Sequence, residues 1–225
     1  MPYLKENHPF YGNVHLFHND EYVCDHIQRN CTWEEYQVTR FHQHYTEGNV
    51  IDVGAHIGLH SIALHKMIPK ERYVFAFEAH PTIYELLLMN CRDKSNIRTY
   101  HSAVSDEADV LYVQQIDFDS TKYVNSGGFG TCEHRTDSTD IPVPSTTIDS
   151  YDFRDVTLIK MDVEGHELQA MAGMRRLLAE QSPVLFVEIH PQDRESKIQQ
   201  IKDLYGYEPV EQMSPIDFIF KKKLI

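Results

Sequence analysis

Two short stretches carry side chains able to move a proton. The first reads LIKMDVEGH over residues 158–166 and the second FVEIHP over 186–191. Apolar runs precede both, so each is read as a buried strand ending in polar residues. Side chains alternate along the first strand, which puts Lys160 and Asp162 on one face. Glu164 and His166 follow as the chain turns into a helix. Glu188 and His190 end the second strand, with Pro191 fixing the chain behind them. If the strands are neighbours, Asp162, Glu164, His166, Glu188 and His190 converge on one sheet edge. Such a set suits a general base that takes a proton from a weak nucleophile, for example an aliphatic hydroxyl. Each group also has a structural reading. Glu164-Gly165 suits a helix start, where an acid favours the dipole. Lys160 suits neutralisation of Asp162, and His166 suits a solvated helix end. Asp162 stands out, because a carboxylate ending a buried strand needs a reason to be there. Asp162, Glu188 and His190 are also ligand types for Mg²⁺ or Mn²⁺. No dense ligand motif compels a metal, and none is expected.

The same sheet edge should hold a glycine turn. Residues 49–58 read NVIDVGAHIG, an apolar strand ending in Asp52 and opening into Gly54 and Gly58. Glycines there let backbone approach a ligand, and the following helix start offers free N–H groups to an anion. Glu78 follows Gly58 by 20 residues, the spacing at which an acid reaches ribose hydroxyls. A dinucleotide wants GxGxxG and no negative charge beside its pyrophosphate. Here the spacing is GxxxG and Asp52 lies two residues before the first glycine. S-adenosylmethionine has no phosphate, and its ammonium and sulfonium suit an acidic site. Asp52 is expected to hold the ammonium directly or through water. A turn that only packs helix on sheet is the plainer alternative.

The elements that would position these groups follow one grammar. Val50–Val53 is a strand, Gly58–Met67 a helix, Tyr73–Phe77 a strand ending in Glu78, and Pro81 opens a helix whose buried stripe runs to Cys91. Ile97–Val104 reads as a third strand and Val110–Val113 as an extra one. Later come a strand over Thr157–Val163, one amphipathic helix over Glu167–Leu178, a strand over Val184–Ile189 and a polar helix over Arg194–Leu204. Two last strands, Glu208–Gln212 and Asp217–Lys221, make a hairpin. Alternating strands and helices imply parallel pairing with right-handed crossovers, here a doubly wound α/β sheet with an antiparallel C-terminal edge hairpin. Residues 1–48 form an N-terminal helical cap with a helix over Thr32–Tyr45, Thr32 as N-cap and Glu35 three residues on. Residues 114–148 are rich in Ser, Thr, Gly, Asp and Pro and are expected to be an irregular lid or acceptor loop. Within it, Asn125–Gly130 suits close approach to an acceptor or a plain flexible turn.

Bulk composition excludes several classes. The 225 residues suit a single domain over 1–225, and 41% hydrophobic residues are enough for a core. A net charge of −13 repels a phosphate backbone, so nucleic acid is not expected as a partner. No apolar run is long enough to span a membrane, and MPYLKENHPF is no signal region; a cytoplasmic location is expected. Cys24, Cys31, Cys91 and Cys132 show no zinc spacing and read as scattered thiols. Most of the 14 histidines are expected on the surface or in polar core positions.

The order of these signals resembles the FkbM family of S-adenosylmethionine-dependent O-methyltransferases. The resemblance rests on IDVGAHIGLHSIAL at 51–64, VFAFEAHPTIYELLLMN at 74–90, AVSD at 103–106, STTIDSY at 145–151, LIKMDVEGHELQAMAGMRRLL at 158–178 and VLFVEIHP at 184–191. It implies the Rossmann-like sheet of class I methyltransferases and S-adenosylmethionine as cofactor. Asp52, Gly54 and Gly58, with Ala55 between, would face the methionine part, and Glu78, with Ala79 beside it, the ribose. Ser102, Ala103 and Val104 would lie near the adenine, and Asp162 beside the cofactor. The implied acceptor is a sugar or glycan hydroxyl, with a polyketide-type hydroxyl second. A non-catalytic S-adenosylmethionine-binding module of a larger sugar-modifying protein is the opposing class, and a nicotinamide-dependent oxidoreductase a third.

Overall fold

The computed structural model describes residues 3–223. The chain begins with an antiparallel hairpin, β1 (Tyr3–His8) and β2 (Gly12–Phe17), then two helices, α1 (Glu21–Gln28) and α2 (Glu35–His44). The cap expected to be helical therefore starts as a β-ribbon, because Val14, Leu16 and Phe17 must bury against the next layer. Asn90 ties it down, accepting from the His15 backbone N–H at 2.7 Å and donating to the His15 and Ile57 carbonyls. Helix α2 also starts later than expected. Its N-cap is Glu34, not Thr32, and no side chain caps it. The Trp33 N–H is taken by the Tyr11 hydroxyl, which holds this segment in a different turn from a capping box.

The core then alternates: β3 (Asn49–Val53), α3 (Leu59–Met67), β4 (Val74–Glu78), α4 (Pro81–Cys91) and β5 (Ile97–His101). Pro81 sits in the first turn of α4, where its missing N–H costs nothing. The expected strand over 97–104 breaks at Ser102, whose N–H goes to the Glu78 carbonyl while its hydroxyl goes to the Pro144 carbonyl. Ala103–Val104 is thus a separate strand, β6, in a second sheet with β7 (Val110–Val113), β8 (Thr131–Cys132) and β9 (Ile141–Thr146), in the order β6-β9-β7-β8. The insert over 114–148 is accordingly less irregular than its composition suggests.

The chain re-enters the main sheet with β10 (Val156–Met161), α5 (Glu167–Ala172), α6 (Arg175–Gln181), β11 (Val184–Glu188), α7 (Arg194–Tyr205), β12 (Tyr207–Gln212) and β13 (Asp217–Lys222). The single helix expected over 167–178 is broken. Gly173 lies against the Ser105 carbonyl, and a Cβ there would come within 1.9 Å of that oxygen. The seven-stranded order is β12-β13-β11-β10-β3-β4-β5. Its five middle and far strands pair in parallel, and β13 pairs antiparallel with both β11 and β12.

Strand alternation feeds two cores, one on each face. Val50, Ala76, Leu158 and Phe186 pack with the hairpin, α3 and α4, whereas Ile51, Val53, Ile159 and Met161 pack with the α5–α7 side. Each such fully buried large side chain contributes about 1.5–3 kcal/mol. Helices on both faces of a largely parallel sheet make the doubly wound fold anticipated from the sequence. Its strand order reverses between β3 and β10, and ligands bind beyond the carboxyl ends at such a point. Among the described residues, no helix is long and apolar enough to cross a membrane, and all four cysteines are free.

Candidate functional site

Beyond the ends of β3 and β10 lies a cavity of about 430 Å³, within the range of small-molecule sites. Its wall combines the glycine turn, the ends of β4, β10 and β11, the loop 125–131, and Tyr22, Val23, Trp33 and Glu34 from the N-terminal part. Gly54, at φ 76°, runs so close to β10 that a Cβ would meet the Asp162 carbonyl at 1.7 Å. No other residue fits there.

The expected cofactor residues divide. Gly54, Ala55, Glu78, Ala79, Ser102, Ala103, Val104 and Asp162 all line the cavity. Asp52 and Gly58 do not. Asp52 is fully buried behind the turn, accepting from the Ser61 hydroxyl at 2.6 Å and lying 3.5 Å from the Lys160 ammonium. Gly58 faces α4, where a Cβ would meet Leu87 at 2.7 Å, so its bareness serves helix packing. Strand alternation explains Asp52: along β3 it turns the acid toward Ser61 and Lys160 and away from the open end. Glu78 is held by the backbone, one oxygen accepting from the His56 N–H at 2.9 Å and the other from the His80 N–H at 2.8 Å. Burial pushes its carboxyl up to about 7 against these two bonds.

All five expected proton-moving groups also line the cavity, but they do not act as one set. His190 Nε2 lies 2.7 Å from Glu164 Oε2 and 3.4 Å from Glu188 Oε1. Asp162 instead pairs with Lys160 at 3.4 Å. His166 turns away to the Ser105 hydroxyl, 2.9 Å distant. Burial, with the charges of Asp162 and Glu164, pushes Glu188 up to about 9; burial likewise raises Glu164, with the His190 hydrogen bond opposing. Lys160 stays charged despite its burial because Asp162, Asp52, Glu34 and Glu188 surround it, and it donates to the Gly54 carbonyl at 2.7 Å. Among the described residues, Glu164, Glu188 and His190 are the group whose ligand atoms, all within 4.8 Å, could hold a metal. Glu164 thus stands where Asp162 had been expected.

Three titratable lining residues went unforeseen. His56 Nε2 meets the Ser126 hydroxyl at 2.6 Å, and that hydroxyl donates on to Asp20. His60 and Glu34 face each other at 3.5 Å. The one available signal was the pair of histidines in GAHIGLH, placed inside and just after the turn; nothing local marked Glu34.

The donor set suits one ligand class. Among the described residues, Glu34, Glu78, Asp162, Glu164 and Glu188 line the cavity against Lys160 as the one permanent cation, and Lys160 is already engaged. A pyrophosphate would meet carboxylates and no free cation. A cationic nucleoside without phosphate meets opposite charge.

The profile of the FkbM methyltransferase domain matches residues 52–212. Methyltransferase FkbM from Methylobacillus flagellatus KT superposes with a TM-score of 0.53 at 19% identity, over 78% of this chain and 43% of that one. The chain therefore spans less than half that protein's length. A Streptococcus mutans protein solved in complex with SAH gives 0.51 at 11% identity, over 84% and 97% of the two chains. Precorrin-6y C5,15-methyltransferase from Geobacter metallireducens GS-15 gives 0.50 at 12%, over 83% and 86%. At these identities the superpositions speak for the fold alone. Among curated proteins, none matches the chain.

Proposed function

The chain belongs to the FkbM methyltransferase family, and on that premise we propose that it is an S-adenosylmethionine-dependent O-methyltransferase acting on a hydroxyl of a sugar or glycan. The observation that carries this reading is the Glu164–His190 pair, 2.7 Å apart, at an acid-lined cavity. S-adenosylmethionine, when bound, supplies a methyl group already activated on a sulfonium. The turn at Gly54 and Ala55 would take its methionine part, Glu78 the ribose, and Ser102 to Val104 the adenine. Asp162, neutralised by Lys160, would border it.

The chain's own task is to align the acceptor and take its proton. An ionised Glu164 can only accept a hydrogen bond, so His190 Nε2 carries the hydrogen and Nδ1 is left with a lone pair. Nδ1 would then receive the hydroxyl proton, and Glu164 would stabilise the imidazolium. Glu188, 3.4 Å from the same Nε2, would back Glu164 in holding the ring. His166, tied to Ser105, would position the α5 start rather than move a proton. Tyr22, Trp33 and Phe129 offer flat apolar faces on the cavity wall that a sugar ring can cover. Residues 1–225 would work as one methyltransferase unit.

The test is transfer of labelled methyl from S-adenosylmethionine to a panel of glycans and simple sugars. His190→Ala should lower transfer about a hundredfold or more, and chelator should leave it unchanged. Donor binding without transfer to any hydroxyl would refute the enzyme and leave a binding module.

A further inference from the structure

Asp52 was the acid expected to meet the donor's ammonium, yet it is buried behind the turn and committed to Ser61 and Lys160. Asp162 reaches the cavity but is paired with Lys160. An ammonium at the glycine turn needs another carboxylate. Glu78 is held by the backbone of the turn itself, which leaves Glu34, on the same cavity wall, as the candidate. Its Oε2 lies 3.5 Å from Nε2 of His60 in the first turns of α3, the helix the glycine turn feeds.

Two features mark Glu34 as placed for a ligand. It holds left-handed backbone, φ 44° and ψ 52°, at the N-cap of α2, and its side chain caps nothing. Instead the carboxylate accepts from Gln37 Nε2 at 3.0 Å and from the Tyr36 hydroxyl at 3.3 Å, leaving it on the cavity wall. A strained non-glycine residue persists where the surroundings over-determine it, commonly at ligand clamps. His60 Nε2 is buried, lines the same cavity and makes no hydrogen bond, the Glu34 carboxylate standing 3.5 Å from it. A buried polar atom without a partner is costly unless a ligand completes it.

We infer that Glu34 receives the ammonium of the methionine part of the donor, with His60 beside it, so that the N-terminal segment completes the donor site. This rests on S-adenosylmethionine being the donor. It also gives the N-terminal segment, read from the sequence as a cap, a role at the donor. Glu34 lies outside the matched span 52–212, so the ammonium partner comes from the N-terminal segment that precedes it.

Calorimetric titration of the full chain tests this without any acceptor. The probes are S-adenosylhomocysteine and its deaminated analogue, which keeps the carboxylate and lacks the ammonium. The wild type should prefer S-adenosylhomocysteine by about tenfold or more, the scale of a charge-assisted hydrogen bond. Glu34→Gln should lose that preference, weakening S-adenosylhomocysteine while leaving the analogue within about twofold. Glu34→Asp, which keeps the charge, should fall between. Should Glu34→Gln fail to fold, the wild-type preference and Glu34→Asp still decide. A preference untouched in either variant, or an equal loss for both probes, overturns the assignment. Neither probe binding the wild type would overturn the donor reading itself; transfer to no sugar would leave the Glu34 assignment standing.

Discussion

Glu34, His56 and Glu164 hold left-handed backbone at φ 44°, 52° and 51°, and all three line the cavity. Such a conformation costs a non-glycine residue about 1–3 kcal/mol, so the fold carries strain where a ligand would sit. Glu164→Gly relieves the strain at one of these positions while deleting the partner of His190. We expect its thermal midpoint to hold or rise while methyl transfer falls at least about tenfold; a midpoint several degrees lower would make Glu164 a structural residue. The raised carboxyls predict a pH effect as well. Burial is the main cause at each, taking Glu34 and Glu78 up to about 7 and Glu188 to about 9. A raised carboxyl holds its proton more tightly folded than unfolded. Its contribution is full below the ordinary range near ~4.3 and is lost as pH climbs through the folded value. Buried His60 and His80, whose burial lowers them, act on the acid side. From about pH 7 to about pH 9 the midpoint should therefore fall, and Glu188→Gln should flatten that fall; an unchanged slope in the variant would contradict the assignment.

At the scale of elements, the insert is held by a short relay from the N-terminal segment. The Ser126 hydroxyl donates to Asp20, whose other oxygen caps α1 at 3.1 and 3.0 Å from the Tyr22 and Val23 N–H groups. Because that hydroxyl's hydrogen is spent on Asp20, His56 Nε2 must carry the hydrogen it gives to Ser126, 2.6 Å away. The neighbouring Asn19 amide donates to the carbonyls of Asp117, Ser120 and Lys122, and Phe17 stacks on Phe118 with centroids 3.7 Å apart. Loop, cap and glycine turn are thus joined through three side chains, His56, Ser126 and Asp20. Ser126→Ala should speed amide hydrogen exchange over 124–130 by about tenfold or more, with β3 and β10 unaffected. Exchange at wild-type rates would show that the glycines, and not the relay, set the loop's position.

Across the whole molecule, the N-terminal part and the sheet share one apolar cluster, in which Tyr11, Val14, Phe17 and Phe41 pack with Val50, Ile62 and Phe186. Neither side can bury its face alone. The chain's one tryptophan, Trp33, reports on the N-terminal part, while far-ultraviolet circular dichroism is dominated by the core helices. Both signals should lose structure in one cooperative transition at the same midpoint. Midpoints more than a few degrees apart would divide the chain into two units.

Much of this was legible in residue patterns, for local reasons. Period-two and helical spacings, Pro81 and the two glycines dictate β3 through α4 without reference to anything distant, and the motif order carries the family. The acid and imidazole residues after β10 and β11 were readable because a buried strand end announces polar side chains. What tertiary structure decided was which of them meet. Asp162 is drawn to Lys160 and Glu164 to His190 by β10–β11 register and by the left-handed turn at Glu164. Asp52 is retired behind the turn because alternation along β3 points it at Ser61. Glu34, 26 residues before His60 in the sequence, reaches it only because α2 packs on α3. Residue types and short spacings set the chemistry available; long-range packing sets the partners, since an unpaired charge settles on whichever opposite group the fold brings within reach.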